Sequence, residues 1–282
     1  MQSLTLSLVE PSRIAAQSSG LTRGSHAGFS LVELSIVLVI LGLLTGGILT
    51  GQSLIRAAEL RAVTTEFQRY QTALQSFRDK YFALPGDMRN ATAFWGSMTN
   101  CGAASPSGTG TQTCNGDGNG IINSGAALQT SEIYGFWQHL ANAGLIEGSY
   151  SGISGATSSL NSVINQNVPG SKVSNAGWFP YYLGQSSGST SQYAMDYGNA
   201  FTYGADDPTM QTYLPILTPA ELWGIDTKID DGKPAMGKLI ARFWNNACSA
   251  ADNGSHSNTN LVASYKLSAS TIECSIIFRQ LF

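Results

Sequence analysis

One carboxylate in this chain stands where hydrocarbon should be. From Phe29 to Leu49 run twenty-one residues whose only charge is Glu33. An acid on an isolated helix in lipid costs several kcal/mol, so it calls for a counter-charge; snorkelling to the headgroups is the plain alternative. A second set of residues suits cation chemistry. In "NGDGNGII", Asn115, Asp117, Asn119 and Gly120 occupy positions one, three, five and six of an EF-hand calcium loop, with the Ile121 carbonyl and Asn123 as further ligands and Ile122 at the apolar eighth position. The twelfth position is Ala126 instead of a bidentate Glu, which leaves Glu132 in the next helix as the substitute. A metal-free Asn/Gly-rich turn accounts for the same residues, so calcium and no cofactor both stay open. Four cysteines, Cys101, Cys114, Cys248 and Cys274, form the third set. They are an even number, lie after the apolar run, and lack the C-x-x-C spacing or the nearby His pair of a zinc site, so disulfides in an oxidising compartment are expected. Closeness in sequence favours Cys101 with Cys114 and Cys248 with Cys274, although all three pairings are open.

The remaining chemistry-bearing residues are isolated. His139 is read as a packed or solvent-facing helical histidine. Asp226, Asp230 and Asp231 are read as an ordinary Asp-Gly turn at a helix end, or else as a second cation site.

The apolar run is long enough to cross a bilayer core of about 30 Å, at about 1.5 Å per helical residue. A signal peptide is the competing interpretation, but its apolar region is about 7–15 residues and ends in a small-residue cleavage site. Arg13, Arg23 and His26 precede the run and place the N-terminus in the cytoplasm by the positive-inside rule, against which stand Arg56 and Arg61. Past the membrane no proline occurs until Pro85, and Val63, Phe67, Tyr70, Leu74, Phe77 and Tyr81 recur at helical spacing. The helix therefore continues with an apolar stripe, expected to pack on a globular partner instead of forming a coiled-coil seam. Glu59, Glu66, Arg69 and Asp79 are assigned to the opposite face. A short helix from Met88 to Trp95 with Asp87 as N-cap is expected next. A helix starting near Thr130 or Ser131 and stopping at Gly144 follows, and then a capping-box helix on Thr218, Pro219 and Glu221. Aromatic clusters within 177–204 read as strands and loops, and "GKLIARFW", "LVASYKL" and "CSIIFRQLF" as three strands.

Gly28-Phe29-Ser30-Leu31-Val32-Glu33-Leu34 resembles the processing site of type IV prepilins and type II secretion pseudopilins: a glycine, an aromatic, and an apolar run with Glu fifth. The resemblance implies that prepilin peptidase cuts after Gly28 and methylates the new amine of Phe29. It also implies that Glu33 meets that amine on a neighbouring subunit, and that the inner-membrane assembly platform adds the subunit to a helical filament. The implied fold is α+β: a long N-terminal helix packed on a small antiparallel sheet, with Gly/Ser-rich loop insertions and a disulfide tying down the C-terminal strands. The corresponding segments are a leader over 1–28, a transmembrane half-helix over 29–50, an amphipathic half-helix over 51–84 and a periplasmic or extracellular domain over 85–282. Where many members of the family carry a proline, about twenty-two residues into the mature helix, this chain has Thr50 flanked by Gly46, Gly47 and Gly51, so softening of the helix is assigned to glycine.

Composition narrows the function. Beyond Tyr81, thirteen Asp and Glu stand against eight Lys and Arg, a balance of −5 that repels phosphate backbones, so no nucleic-acid partner is expected. No G-x-S-x-G, H-E-x-x-H or phosphate loop is present, so no catalysis is implied. The expected role is a structural subunit, with the chain's size suggesting a minor pilin or pseudopilin. The alternative is a single-pass tethered adhesin or calcium-dependent binding module that does not polymerise.

Overall fold

The computed structural model describes residues 28, 30–101, 106–124, 131–242, 248–250, 257–279 and 281. The expected leader over 1–28, apart from Gly28 itself, lies outside the described residues, as do Phe29, Ala126 and Thr130. The chain divides into two compact units, Met1–Gly51 and Gln52–Phe282, with helix α1, Leu31–Tyr81, running through the division.

Within the first unit the described residues form the opening stretch of α1. All its side chains from Leu31 to Thr50 are exposed, and its mean hydropathy is high enough for a membrane-crossing helix. The few hydroxyls there bond back along the helix: Thr45 Oγ1 donates to Leu41 O at 2.9 Å and Thr50 Oγ1 to Gly46 O at 2.9 Å. Such back-bonding leaves no unsatisfied donor facing hydrocarbon. The expected softening at Gly46, Gly47 and Gly51 does not interrupt the helix.

In the second unit the apolar stripe of α1 is buried at Val63, Phe67, Tyr70, Leu74 and Phe77, with Tyr81 packed at its margin. It lies against a four-stranded antiparallel sheet of order β1-β2-β6-β3: β1 Ala176–Tyr182, β2 Asn199–Ala205, β6 Ser275–Phe278 and β3 Leu239–Arg242. Register places Phe201, Phe278 and Leu239 side by side, and Tyr203, Ile276 and Ala241 one pleat further along. Because side chains alternate across a strand, these residues share one face. That face meets the helix: the Phe67 ring stacks on Phe278 at 4.0 Å, and Tyr70 meets Trp178 edge-on at 5.5 Å. The other face carries Ala200, Ile277 and Ile240 under a second cluster with Tyr193, Tyr197 and Ala263. Both faces being covered explains why "LIAR" and "SIIF" read as continuous runs without alternation.

Three smaller elements complete the unit. Helix α3, Glu132–Asn142, is buried from Glu132 to Leu140 and sets Trp137 against Tyr70 and Phe201. Helix α4, Pro219–Ile229, has the expected capping box, with Thr218 Oγ1 and the Glu221 carboxylate satisfying each other's backbone N–H. Glu221 also receives Arg56 of α1 at 2.6 Å. Two disulfides join Cys101 to Cys114 and Cys248 to Cys274. The architecture is α+β, a long N-terminal apolar helix followed by a small antiparallel sheet, consistent with the pilin-like plan.

Three expectations need correction, and a fourth is narrowed. The sheet draws two of its strands from the aromatic segments at 176–205, and "LVASYKL" supplies only β5, Ser264–Tyr265, paired with β4, Ser249–Ala250, in a separate ribbon. The next helix, α2, spans Ala91–Trp95 and does not begin at Met88, and Asp87 does not cap it; Asn90 stands at that position without a side-chain cap. Glu66 is not on the solvent face. It lies three residues after Val63 and four before Tyr70, on the same helical face, and is buried because it accepts from Trp178 Nε1 at 2.8 Å and Lys172 N at 2.9 Å. His139 is packed, and the solvent-facing alternative falls away: it is fully buried, accepts from Gly86 N at 2.9 Å through Nδ1 and pairs with Thr113 Oγ1 at 2.9 Å through Nε2. Burial pushes its pKa down to about 3, so it stays neutral.

Candidate assembly site and acidic loop

At the start of α1, Ser30 and Glu33 form a helix cap. The Glu33 carboxylate accepts from Ser30 N at 2.9 Å, and Ser30 Oγ accepts from Val32 N at 3.3 Å. The first turn of any helix leaves N–H groups without intrahelical partners, and both side chains supply acceptors there. Glu33 also puts a negative charge at the positive end of the helix dipole. Its carboxylate is thereby turned back toward Ser30 at the start of the helix. Gly28 is exposed, and a Cβ added there meets no atom within 4 Å.

The loop at 115–123 is held by carboxylates. Asp87 Oδ1 accepts from Gly118 N and from Asn119 N at 3.1 Å, and its Oδ2 accepts from Gly120 N at 2.8 Å. Glu132 takes Asp117 N at 3.1 Å and Asn123 N at 3.2 Å. Asp117 takes both Asn119 N and Asn119 Nδ2 at 2.9 Å. Every oxygen of the three acids therefore holds an N–H donor. One oxygen from each lies within 4.8 Å of the others.

Of the calcium ligands expected from sequence, Asp117 is in this cluster. The side-chain oxygens of Asn115 and Asn119 are engaged by Thr92 N at 2.9 Å and Ile121 N at 2.7 Å. Asn123 faces the cluster through its backbone N–H, and the Ile121 N–H serves the loop's own turn. Asp87 is the member that sequence reasoning missed. Its signal was Pro85-Gly86 just before it, where Gly86 has φ +83 and a Cβ would collide with Glu132 O, so the turn delivers Asp87 beneath the loop. Burial, then the charges of Asp87 and Asp117, push the Glu132 carboxyl up to about 7, against the pull of its two backbone donors. Burial likewise raises Asp87.

The two disulfides differ in setting. Cys248 and Cys274 are fully buried beneath the sheet, whereas Cys101 is exposed at the mouth of the loop that Cys101–Cys114 closes.

No curated protein and no solved structure gives a match to the chain. Residues 23–49 match the family model of the prokaryotic N-terminal methylation motif, so the segment that contains Gly28, Phe29 and Glu33 is the prepilin-like signal of type IV pilins and pseudopilins, joined here to a long N-terminal apolar helix.

Proposed function

We propose that this chain is a structural subunit, a minor pilin or pseudopilin. In this reading it enters the inner membrane with its N-terminus cytoplasmic, is cut and methylated by prepilin peptidase at Gly28–Phe29, and is assembled with other pilin subunits into a type IV pilus or secretion pseudopilus. One observation carries the reading: the methylation motif at 23–49 opens directly into a helix that is apolar and exposed from Leu31 onward. A helix of that kind has two stable environments, lipid and a bundle of its own kind, and extraction from the first into the second leaves its hydrophobic burial unchanged. What changes is the state of Glu33. In the membrane it caps its own helix; in a stack it sits one turn from the positive amine of an adjacent subunit. A pair desolvated in this way selects register more than it adds stability, because a misaligned subunit buries an unpaired charge. No chemistry by the globular unit is required, and it acts as the displayed part of the subunit.

The test is co-expression with a cognate prepilin peptidase followed by mass spectrometry. Loss of residues 1–28 and a methyl group on Phe29 support the proposal. An intact N-terminus would instead favour a tethered adhesin or binding module. In competition with the unaltered chain, Glu33→Ala is expected to be processed normally yet incorporated at least tenfold less into filaments, and equal incorporation would end the polymer reading.

A further inference from the structure

Three acids converge where α4 ends. Asp226 lies in the last turn of the helix, Asp230 is its C-cap and Asp231 follows, and one oxygen of each lies within 4.8 Å of the others. A helix C-terminus is the negative end of the peptide dipole, so it is the least favourable place on the helix for carboxylates. Among the described residues no Lys or Arg forms an ion pair with any of them.

The hydrogen bonds orient these acids without satisfying them. Asp226 Oδ2 accepts from Tyr265 Oη at 2.7 Å. Asp230 Oδ2 accepts from Lys238 N and from Leu239 N at 3.1 Å, and Asp231 Oδ1 from Lys233 N at 2.9 Å. Asp226 is 0% exposed, and its second oxygen, Oδ1, is buried with no hydrogen-bond partner. The Gly232 N–H favours the ionised carboxylate but makes no hydrogen bond to that oxygen. A buried acceptor left unmade costs about 1–3 kcal/mol, and more when charged, so an orphan beside two further carboxylates points to a missing positive ligand. The contrast with Asp87, Asp117 and Glu132 is informative, because there every oxygen is occupied by an N–H donor.

We propose that Asp226, Asp230 and Asp231 form a calcium site that locks the end of α4 to the start of β3 and to Tyr265 of β5. The donor set is all oxygen, which selects a hard cation. Calcium takes such ligands at about 2.3–2.6 Å, so ligands around one ion are up to about 5 Å apart, and the three carboxylate oxygens here all fall inside that span. Three carboxylates against a divalent ion leave one negative charge, partly offset by the Tyr265 hydroxyl and the loop N–H donors. The ion joins elements distant in sequence: α4, the 232–239 turn, and the ribbon whose β4 strand adjoins Cys248.

The experiment uses the full chain in detergent micelles, with calcium as ligand and terbium as a luminescent probe excited through the aromatic next to the site. Calcium is expected to bind with Kd of about 10⁻⁴–10⁻³ M, in the range of extracellular modules. At about ten times Kd it should raise Tm by about 3–6 °C. Asp231→Asn keeps the acceptor for Lys233 N, so it should fold with an unchanged calcium-free Tm and bind calcium at least tenfold more weakly. Asp226→Asn should abolish binding. Glu132→Gln is the control at the other acidic cluster and should leave affinity unaltered. The proposal is overturned if calcium at about 10 mM leaves Tm unmoved, if Asp231→Asn binds as well as the unaltered chain, or if Glu132→Gln removes the binding instead.

Discussion

Protonating the acidic loop should make the globular unit more stable, and Glu132→Gln isolates the cause. In the unfolded chain the Glu132 carboxyl ionises at its ordinary value of 4.5; in the fold burial and the charges of Asp87 and Asp117 raise it to about 7. Between those values the folded state keeps a proton that the unfolded state has lost, so the unfolded state binds fewer protons and stability falls as pH rises. The stabilisation is fully present below pH 4.5 and disappears as pH passes through about 7. A tenfold change in proton affinity is worth about 1.4 kcal/mol, so this group alone lowers stability by about 2 kcal/mol between about pH 5 and pH 7. For a globular unit of this size that is a fall in Tm of about 4–8 °C. Asp226, raised from 3.8 to about 7, adds a second falling slope over the same interval. Glutamine cannot ionise. Its amide loses the acceptor for Asn123 N, a cost independent of pH, whereas the Glu132 share of the slope vanishes. Thermal unfolding of both chains from about pH 4 to pH 8 with a chelator present should therefore give a shallower profile for Glu132→Gln, roughly half as steep. Identical slopes would refute the coupling of Asp87, Asp117 and Glu132 as described.

Three other outcomes are expected. Glu66→Ala leaves the Trp178 indole N–H and the Lys172 N–H buried without an acceptor, so it should cost about 2–4 kcal/mol in urea unfolding, more than removal of an exposed acid such as Asp79. Phe67→Ala removes a ring stacked at 4.0 Å on Phe278 and should cost about 3–5 kcal/mol. In a double-mutant cycle with Phe278→Ala, a coupling below about 0.5 kcal/mol would contradict direct packing of α1 on β6. Replacing Cys248 and Cys274 by serine opens a loop of 26-residue separation, and replacing Cys101 and Cys114 one of 13, so losses of about 3.5 and about 3 kcal/mol follow from chain entropy. Burial of Cys248 and Cys274 makes the first loss the larger of the two, and near-equal melting of both variants and the parent would show the restraint to be unimportant.

What the linear sequence decided is whatever depends on neighbours along the chain. Twenty-one residues with a single charge are enough to make a helix suited to a lipid-like environment, because a helix satisfies its own backbone groups there. The four-three-four spacing from Val63 to Tyr81 fixed the buried face of α1, and Thr218, Pro219 and Glu221 fixed where α4 begins, since capping is a contact over three residues. The prepilin-like signal was legible for the same reason: Gly28, Phe29 and Glu33 fall within six consecutive residues of the matched segment.

Contacts between distant segments were decided only by the fold. Glu66 looked like a surface acid until Trp178, 112 residues later, brought an indole N–H to it. Asp87 looked like a helix cap until the chain placed three N–H donors from 118–120 above it. Asp226 looked like part of an ordinary turn until Tyr265 took one oxygen and packing sealed the other away. In each case a carboxylate's character depends on which donors and charges reach it through space, and burial multiplies those energies while sequence separation conceals them. Local periodicity sets which face of an element is apolar; only tertiary packing sets which polar group that face must accommodate.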